Sequence, residues 1–125
     1  MRKTVLLADD NAFVRTALYE FFQREPDFQV IAMAENGQEA LQAASRLHPD
    51  LIVLDRTMPI MDGLAAARIL RKLMPDALLI IYCATPEECP EALVKSVGVS
   101  AIVSKSESAS VLIDKCRSLF CRKAA

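Results

Sequence analysis

The chain lacks tryptophan, has a single histidine and three glycines, and carries no excess of either charge. Fifteen basic and sixteen acidic residues leave a formal charge of −1, which provides no overall attraction to nucleic acid or to an anionic membrane surface. With His48 as the only histidine, histidine-rich metal sites and histidine-based catalysis are poor candidates. We therefore expect neither nucleic acid nor a membrane to bind this chain.

Long apolar runs and a secretory signal are also lacking. The first apolar run covers only residues 5–8, and Asp9 and Asp10 end it. No stretch approaches the roughly 18 consecutive apolar residues that span a bilayer. These features predict a cytoplasmic protein.

The cysteines show no metal-binding pattern. They lie at positions 83, 89, 116 and 121, with no Cys-x-x-Cys pair and no histidine nearby, which argues against a zinc ribbon. In a cytoplasmic protein we expect them to be reduced and to pack as small hydrophobic residues.

Enough apolar residues are present to build a core. The 125 residues are 53% apolar and 25% charged, which excludes a disordered chain and suits one domain. Five short runs rich in Val, Ile and Leu alternate with amphipathic helical patterns. The predicted strands are 4–8, 28–34, 51–54, 77–84 and 101–104. The predicted helices are 11–24, 37–47, 63–74, 90–97 and 108–122.

This order of elements predicts an α/β fold. Five strand–helix repeats, with strands apolar on both faces, favour a parallel sheet with right-handed crossovers and helices on both sides. Asn36 and Asp62 each precede glycine and are predicted to open helices, and Pro86 and Pro90 predict a loop and a short fourth helix. One apolar face is expected on the first helix: Phe13, Val14, Ala17, Leu18, Phe21 and Phe22. A partly exposed one is expected on the fifth: Leu112, Cys116, Leu119 and Phe120.

Polar residues at the strand ends indicate chemistry. Ligands of such sheets bind at the carboxyl ends of the strands. The residues predicted to lie there are Asp9, Asp10, Asp55, Cys83, Thr85 and Lys105. If the first and third strands are neighbours, three carboxylates converge, and an all-oxygen acidic cluster suits Mg²⁺. Together with Lys105 this predicts chemistry on a phosphoryl group, with Asp55 as the nucleophile. Any one of these aspartates alone would be read as a solvated loop or cap residue.

Four runs resemble the receiver domain of two-component response regulators. They read VLLADDN at 5–11, DLIVLD at 50–55, DRTMPIMDG at 55–63 and VSAIVSK at 99–105. The run at 55–63 is the most specific, and the resemblance covers nearly the whole chain. Residues 27–41, with NGQEAL at 36–41, are similar to receivers attached to helix-turn-helix domains of the nitrate-regulator (LuxR-like) type.

The resemblance implies a flavodoxin-like (βα)5 fold, doubly wound, with strand order 2-1-3-4-5. It implies that Asp55 accepts phosphate from a sensor histidine kinase in a Mg²⁺-dependent reaction, and that Lys105 pairs with the phosphoryl group. It implies Mg²⁺ bound by Asp10, Asp55 and the backbone carbonyl of Thr57, with Asp9 acting mainly through water. Residues 1–125 would form one receiver domain, with any output domain outside this chain, and the α4–β5–α5 surface would switch on phosphorylation.

The sequence departs from the receiver pattern on the side of the switch. Cys83 occupies the usual Thr or Ser position, Thr85 lies two residues further on, Ile102 replaces a common aromatic residue and Ser106 a common proline. A thiol is larger and a weaker donor than a hydroxyl. Two interpretations stay open: coupling to the α4–β5–α5 surface is weak or different, or Cys83 simply packs as a small residue.

Other functions are weighed against phosphorylation-driven signalling. A phosphorylation-independent interaction module on the same fold is the main alternative. A phosphatase or mutase with an aspartate nucleophile is disfavoured, because Thr57 stands where haloacid-dehalogenase-like enzymes need a second aspartate. The chain is not expected to be a metabolic enzyme, since a receiver catalyses only its own phosphoryl transfer and dephosphorylation. A homodimer through α4–β5–α5 or through α1/α5 is plausible.

Overall fold

The computed structural model describes residues 2–85, 87 and 90–124. Five strands and five α-helices alternate along these residues. The strands are β1 (Lys3–Ala8), β2 (Phe28–Ala34), β3 (Leu51–Asp55), β4 (Leu78–Cys83) and β5 (Ala101–Ser104). The helices are α1 (Ala12–Gln23), α2 (Gly37–Leu47), α3 (Gly63–Leu73), α4 (Glu91–Ser96) and α5 (Ala109–Ala124). All bounds lie within two residues of those predicted, whereas the predictions for Pro86 and Cys89 fall outside the described residues.

The sheet is parallel throughout, with strand order β2-β1-β3-β4-β5. The predicted doubly wound fold is therefore confirmed. Every residue of β3 and of β4 is buried, as expected for strands covered by helices on both faces. β2 lies on one side of β1, whereas β3 and the strands after it lie on the other side. The order of the strands therefore reverses between β1 and β3, and the carboxyl ends of these two strands form the switch point where such folds bind ligands.

The two faces of the sheet build two separate cores, because successive strand residues point to opposite sides. Leu54 and Ile81 belong to the core shared with α2, α3 and α4. Val53 and Ile80 belong to the core shared with α1 and α5. Cys83 falls in the first core and Tyr82 in the second. The odd or even position of a residue in its strand thus decides which helices it meets.

Asparagine and aspartate cap the first three helices. Asn36 accepts a hydrogen bond from the backbone of Glu39 at 2.9 Å, and Asp62 accepts one from Ala65 at 2.8 Å, as the Asn-Gly and Asp-Gly pairs predict. Asn11 caps α1 in the same way. Helix α4 begins after Pro90, has six residues and lacks a side-chain cap, in agreement with the predicted short helix.

Arg117 ties α5 to the turn between α1 and β2. Its guanidinium donates two hydrogen bonds to the carboxylate of Asp27, both at 2.8 Å, and a third to Glu25 at 3.0 Å. The guanidinium also lies 5.8 Å from the ring centre of Phe28. The hydrogen bonds from Arg117 hold the pKa of Asp27 below its usual value. This network fixes α5 along the core that it shares with α1.

The predicted apolar face of α1 is wrong in extent. Leu18 and Phe22 are buried, but Phe13 is 88% exposed and Phe21 40% exposed, and Ala17 is also exposed. The six apolar residues cover a wider arc of the helix surface than the sheet can bury. Residues 13, 17 and 21 therefore face outward, beside the buried residues 18 and 22.

The predicted exposed face of α5 is wrong for two residues. Leu112 and Cys116 are fully buried against the sheet, and only Leu119 and Phe120 are half-buried. Within the described residues, no helix combines the length and the apolar character needed to cross a membrane.

Candidate functional site

Polar side chains meet at the carboxyl ends of the central strands. The pairing of β1 with β3 ends with Ala8 beside Leu54, so the residues that follow, Asp9 and Asp55, lie side by side. Lys105 directly follows β5, and its backbone N–H donates to the carbonyl of Cys83 at 2.7 Å. The sheet itself therefore positions two carboxylates and one ammonium group.

Three carboxylates form a cluster, as the sequence predicts. Asp9, Asp10 and Asp55 each contribute an oxygen, and these oxygens lie within 4.8 Å of one another. Asp9 and Asp55 are buried and Asp10 is exposed. Like charges this close repel each other unless a cation compensates them. We call these three residues with Lys105 the acidic pocket.

Lys105 supplies part of the compensation. Its Nζ lies 2.9 Å from Asp9 Oδ2 and 3.0 Å from Asp55 Oδ1. Asp9 Oδ2 is buried, and the ammonium of Lys105 is its partner. With all groups ionised, one ammonium against three carboxylates leaves the pocket negative. An oxygen-only, negatively charged donor set of this kind suits a hard divalent cation such as Mg²⁺.

Burial and charge change the ionisation of the pocket. Burial, aided by the nearby charge of Asp9, raises the pKa of Asp55 to about 6 even though Lys105 opposes the shift. Burial alone would lower the pKa of Lys105, but hydrogen bonds and charge from Asp9 and Asp55 outweigh it, so that pKa is raised. Lys105 therefore stays charged at neutral pH.

The loop after Asp55 packs tightly on the end of β3. A Cβ atom on Gly63 would overlap the backbone carbonyl of Asp55, so a side chain there would displace the start of α3 or the aspartate. Gly63 N–H donates to the carbonyl of Arg56 at 3.1 Å, and the Arg56 guanidinium lies 3.2 Å from Asp62. The backbone N–H of Thr57 donates to Asp55 Oδ1 at 3.4 Å, a weak contact that still orients the carboxylate.

Residues 5–117 match the family model described as the response regulator receiver domain. The chain belongs to this family. It is a receiver domain of a two-component system, and its role lies in signal transduction.

The receiver resembles part of longer curated proteins. It is 36% identical over 104 residues to a protein-glutamate methylesterase/protein-glutamine glutaminase from Methanosarcina acetivorans, a match that covers 82% of this chain and 30% of that protein. The chain thus spans less than a third of the length of the curated relatives it matches.

Solved receivers share its fold closely. A LuxR-family response regulator from Aurantimonas sp. superimposes with a TM-score of 0.90 at 25% identity, over 97% of this chain and 86% of that one. A chain of the CheX–CheY–BeF3–Mg²⁺ complex from Borrelia burgdorferi gives a TM-score of 0.85 at 28% identity, over 94% and 89%. The predicted family is confirmed; its structural relatives include LuxR-type regulators, while its curated sequence relatives include methylesterases.

The departures from the family pattern lie at the carboxyl ends of β4 and β5, beside the acidic pocket. Cys83 is fully buried, in the core shared with α2, α3 and α4, and pairs with Ser104 across the sheet. Thr85 is exposed, and no hydrogen bond among the described residues ties it to Asp55. Ile102 is half-buried on the same face as Cys83. Cys83, Ile102 and Ser104 are called the switch side below.

One residue at the site escaped the reasoning from sequence. Tyr82 is the partner of Asp55 in the β3–β4 pairing, and its ring centre lies 5.8 Å from Lys105 Nζ. Burial raises the pKa of Tyr82, against the effect of Lys105, so the ring remains a neutral phenol. Its position in the sequence could have identified it. Tyr82 lies one residue before Cys83, so its side chain points to the face of the sheet on which Asp55 lies and away from the switch side.

Proposed function

We propose that this receiver is a phosphoacceptor and that Asp55 takes a phosphoryl group from a sensor histidine kinase. The observation that carries the proposal is a buried carboxylate held 3.0 Å from an ammonium group, beside two further carboxylates. A carboxylate oxygen of Asp55 forms the new bond to phosphorus while the bond from phosphorus to the donor histidine nitrogen breaks. The donor histidine leaves with the electron pair of that bond.

Mg²⁺ is proposed as the cofactor of this step. The oxygen donors of the acidic pocket and its negative charge fit a hard cation. Asp10, Asp55 and the backbone carbonyl of Thr57 would hold it, with Asp9 acting through water. When bound, it offsets the repulsion between the carboxylate and the phosphoryl oxygens. The similarity to a solved complex that contains CheY, BeF3 and Mg²⁺ supports this assignment.

The residues of the chain divide the remaining work. Asp55 must be ionised to attack, and a pKa of about 6 leaves it mostly ionised at neutral pH. Lys105 pairs with the phosphoryl oxygens as negative charge moves onto Asp55. The loop held by Gly63 keeps the backbone of the acceptor in place during the transfer.

The consequence of phosphorylation is proposed to be a change in the α4–β5–α5 surface, relayed through the switch side. Buried Cys83 offers a weak donor where a hydroxyl is usual, which favours weak or altered coupling. The same observation supports the second candidate function, a phosphorylation-independent interaction module. Thr85, which is exposed, is a weaker candidate for binding the phosphoryl group.

The remaining proposals concern the whole protein. We propose that residues 1–125 form one receiver domain without metabolic activity of its own, that any output domain lies outside this chain, and that the protein acts in the cytoplasm. The methylesterase activity named for its relatives is not assigned to this chain. Besides the kinase, a second copy bound through α4–β5–α5 or α1/α5 is a candidate partner, whereas nucleic acid and membrane are not.

Intact mass after incubation with acetyl phosphate and Mg²⁺ tests the proposed function. We expect wild type to gain one phosphoryl group and Asp55→Asn, or wild type with a chelator, to gain none. Asp114→Asn is the matched control, since that carboxylate is 77% exposed on α5, and it should behave as wild type. Failure of wild type to gain mass while Mg²⁺ binds would overturn phosphoacceptance and support the interaction module.

A further inference from the structure

The ring of Tyr82 lies beside the ammonium group on which the proposed reaction depends. Tyr82 and Asp55 are paired in the sheet, and Lys105 Nζ lies 5.8 Å from the centre of the tyrosine ring. A cation is attracted to the face of an aromatic ring within about 6 Å of its centre. The tyrosine is only 7% exposed, so the surrounding core holds the ring in place.

Open space beside Lys105 gives its side chain room to turn away from the acidic pocket. A cavity of about 220 Å³ lies between α1 and the start of α5, and both Lys105 and Tyr82 line it together with Val14, Leu18 and Phe21. A lysine side chain has many rotamers, and nothing covalent keeps its ammonium beside Asp55. The walls of the cavity are mostly apolar. Of the two aromatic rings that line it, Phe21 and Tyr82, the ring of Tyr82 lies over the ammonium of Lys105.

We propose that Tyr82 is a positioning residue for phosphoryl transfer, which keeps the ammonium of Lys105 at the acidic pocket. It acts through Lys105 and touches neither the phosphoryl group nor the metal. The inference rests on the proposed function, because the lysine is positioned for that reaction.

The face of the ring, rather than the hydroxyl, makes the contact. The Tyr82 hydroxyl forms no hydrogen bond to any described residue, whereas the ammonium lies within range of the ring centre. A phenylalanine at position 82 should therefore do the same work, and a leucine, which keeps the apolar packing but has no ring, should not.

Three variants separate positioning from packing. Tyr82→Leu removes the ring, Tyr82→Phe keeps it, and Ile80→Ala damages the same core one pleat away without touching Lys105. The initial rate of phosphorylation by acetyl phosphate should fall roughly 3- to 30-fold in Tyr82→Leu, the range expected for a partly desolvated cation–π contact. The rates of Tyr82→Phe and Ile80→Ala should stay within about twofold of wild type on the same scale. Each folded variant is measured well below its melting temperature.

The Mg²⁺ dependence of the same reaction provides a second readout. The Mg²⁺ concentration that gives half the maximal rate should be unchanged in Tyr82→Leu, because the ring is proposed to act on Lys105 and supplies no oxygen ligand to the metal. A general collapse of the acidic pocket would raise that concentration as well as lower the rate. Equal rates for the leucine and phenylalanine variants, or a rate loss in Ile80→Ala as large as in Tyr82→Leu, would overturn the proposal.

Tyrosine fluorescence tests the contact without any phosphorylation. The chain has two tyrosines and no tryptophan, so in the Tyr19→Phe variant Tyr82 is the only tyrosine that fluoresces. Adding Lys105→Met to that protein should change the emission of Tyr82, whereas adding Lys72→Met, an exposed lysine on α3, should not. Unchanged emission in the Lys105 variant would overturn the contact even in a receiver that accepts phosphate. A wild type that cannot be phosphorylated but shows the expected fluorescence would instead overturn the proposed function and leave the contact in place.

Discussion

The acidic pocket and the switch side occupy neighbouring strand ends of the same sheet, yet they are built from opposite kinds of interaction. In the pocket, buried charges fix one another at 2.9 and 3.0 Å, and a glycine with no room for a side chain holds the loop behind them. On the switch side, a buried thiol and a half-buried isoleucine contribute packing, and the hydroxyl of Ser104 pairs with that of Ser106 at 2.7 Å. The acidic pocket is therefore held by charge and by close backbone packing, whereas the switch side is held by side-chain packing and neutral hydrogen bonds.

This contrast has a functional meaning. The residues proposed for phosphoryl transfer follow the receiver pattern, while those proposed to relay it do not. We therefore expect acceptance of phosphate and transmission of the signal to be separable properties, so that a substitution can perturb one without the other.

The largest effect is expected from Asp10→Asn. The exposed carboxylate is one of the three groups that make the pocket negative, and its loss should weaken Mg²⁺ binding about 10- to 100-fold, since even outer-shell partners of a metal are worth that much. Isothermal titration calorimetry measures the affinity. Cys83→Thr on the switch side serves as the comparison and should bind Mg²⁺ as wild type does. Equal affinities for Asp10→Asn and wild type would mean that Asp10 is not a ligand.

The next effect concerns stability and its dependence on pH. Because the pKa of Asp55 is about 6 in the folded protein and ordinarily 3.8, the folded state binds more protons between these values. Its contribution to stability is therefore lost as pH rises from about 4 to above 6, a loss of about 1–3 kcal/mol. Asp55→Asn should remove that loss, so without Mg²⁺ it should be more stable than wild type at pH 7.5 and nearly equal at pH 4.

Chemical denaturation at both pH values, with a chelator present, measures this difference. Asp114→Asn on the surface of α5 is the control and should show no such pH-dependent gain. An Asp55→Asn protein less stable than wild type at pH 7.5 would show that the attraction of Lys105 outweighs the burial of the charge.

A smaller effect is expected from Cys83→Thr. A hydroxyl at this fully buried position should lower the free energy of unfolding of the unphosphorylated protein by about 1 kcal/mol. On folding, the hydroxyl gives up its hydrogen bonds to water and gains a poorer partner in the core. The amount of phosphoryl group gained should not change, but the phosphorylation-dependent chemical shifts around Ile102 and any phosphorylation-dependent dimerisation should increase. Cys83→Ala is the matched control, since it is small and has no donor. If Cys83→Thr responds to phosphorylation as wild type does, the idea of weak coupling fails.

The smallest effect is expected from Ile102→Tyr. The position is half-buried, so the substitution alone should change stability by less than about 1 kcal/mol. Combined with Cys83→Thr, it should alter the phosphorylation-dependent shifts by more than the two single changes together, because the two residues pack against the same core. A strictly additive response would show that the two positions do not communicate.

The sequence predicts the fold well where its signal is local. Short apolar runs without alternation, such as 51–54, favour strands buried on both faces, and Asp55 marks the end of one by its charge. The cluster of Asp9, Asp10 and Asp55 then follows if β1 and β3 are neighbours, as the resemblance to receivers implies. The carboxylate geometry needs no knowledge of helix packing, which is why it could be anticipated.

Other features depend on tertiary packing and could not be predicted. The outward turn of Phe13 and the burial of Cys116 depend on how α1 and α5 rotate against the sheet, which hydrophobic periodicity leaves uncertain by a residue or more. The contact of Tyr82 with Lys105 joins side chains from two strands and depends on the register of both. Such details are set by the packing of several elements together rather than by any one segment.

Tyr82 and Cys83 are neighbours in β4 and point to opposite faces of the sheet, and this limits which mutations the gene for this protein can accept. Substitutions in β4 alter one face of the sheet at a time, but a single-codon deletion between Leu79 and Tyr82 would exchange the faces of the residues on one side of it. The thiol would then lie beside Asp55, and the aromatic ring would leave Lys105 for the layer of α3 and α4. Insertions and deletions in this family should therefore be confined to the loops, where a change in length does not exchange the two faces of a strand.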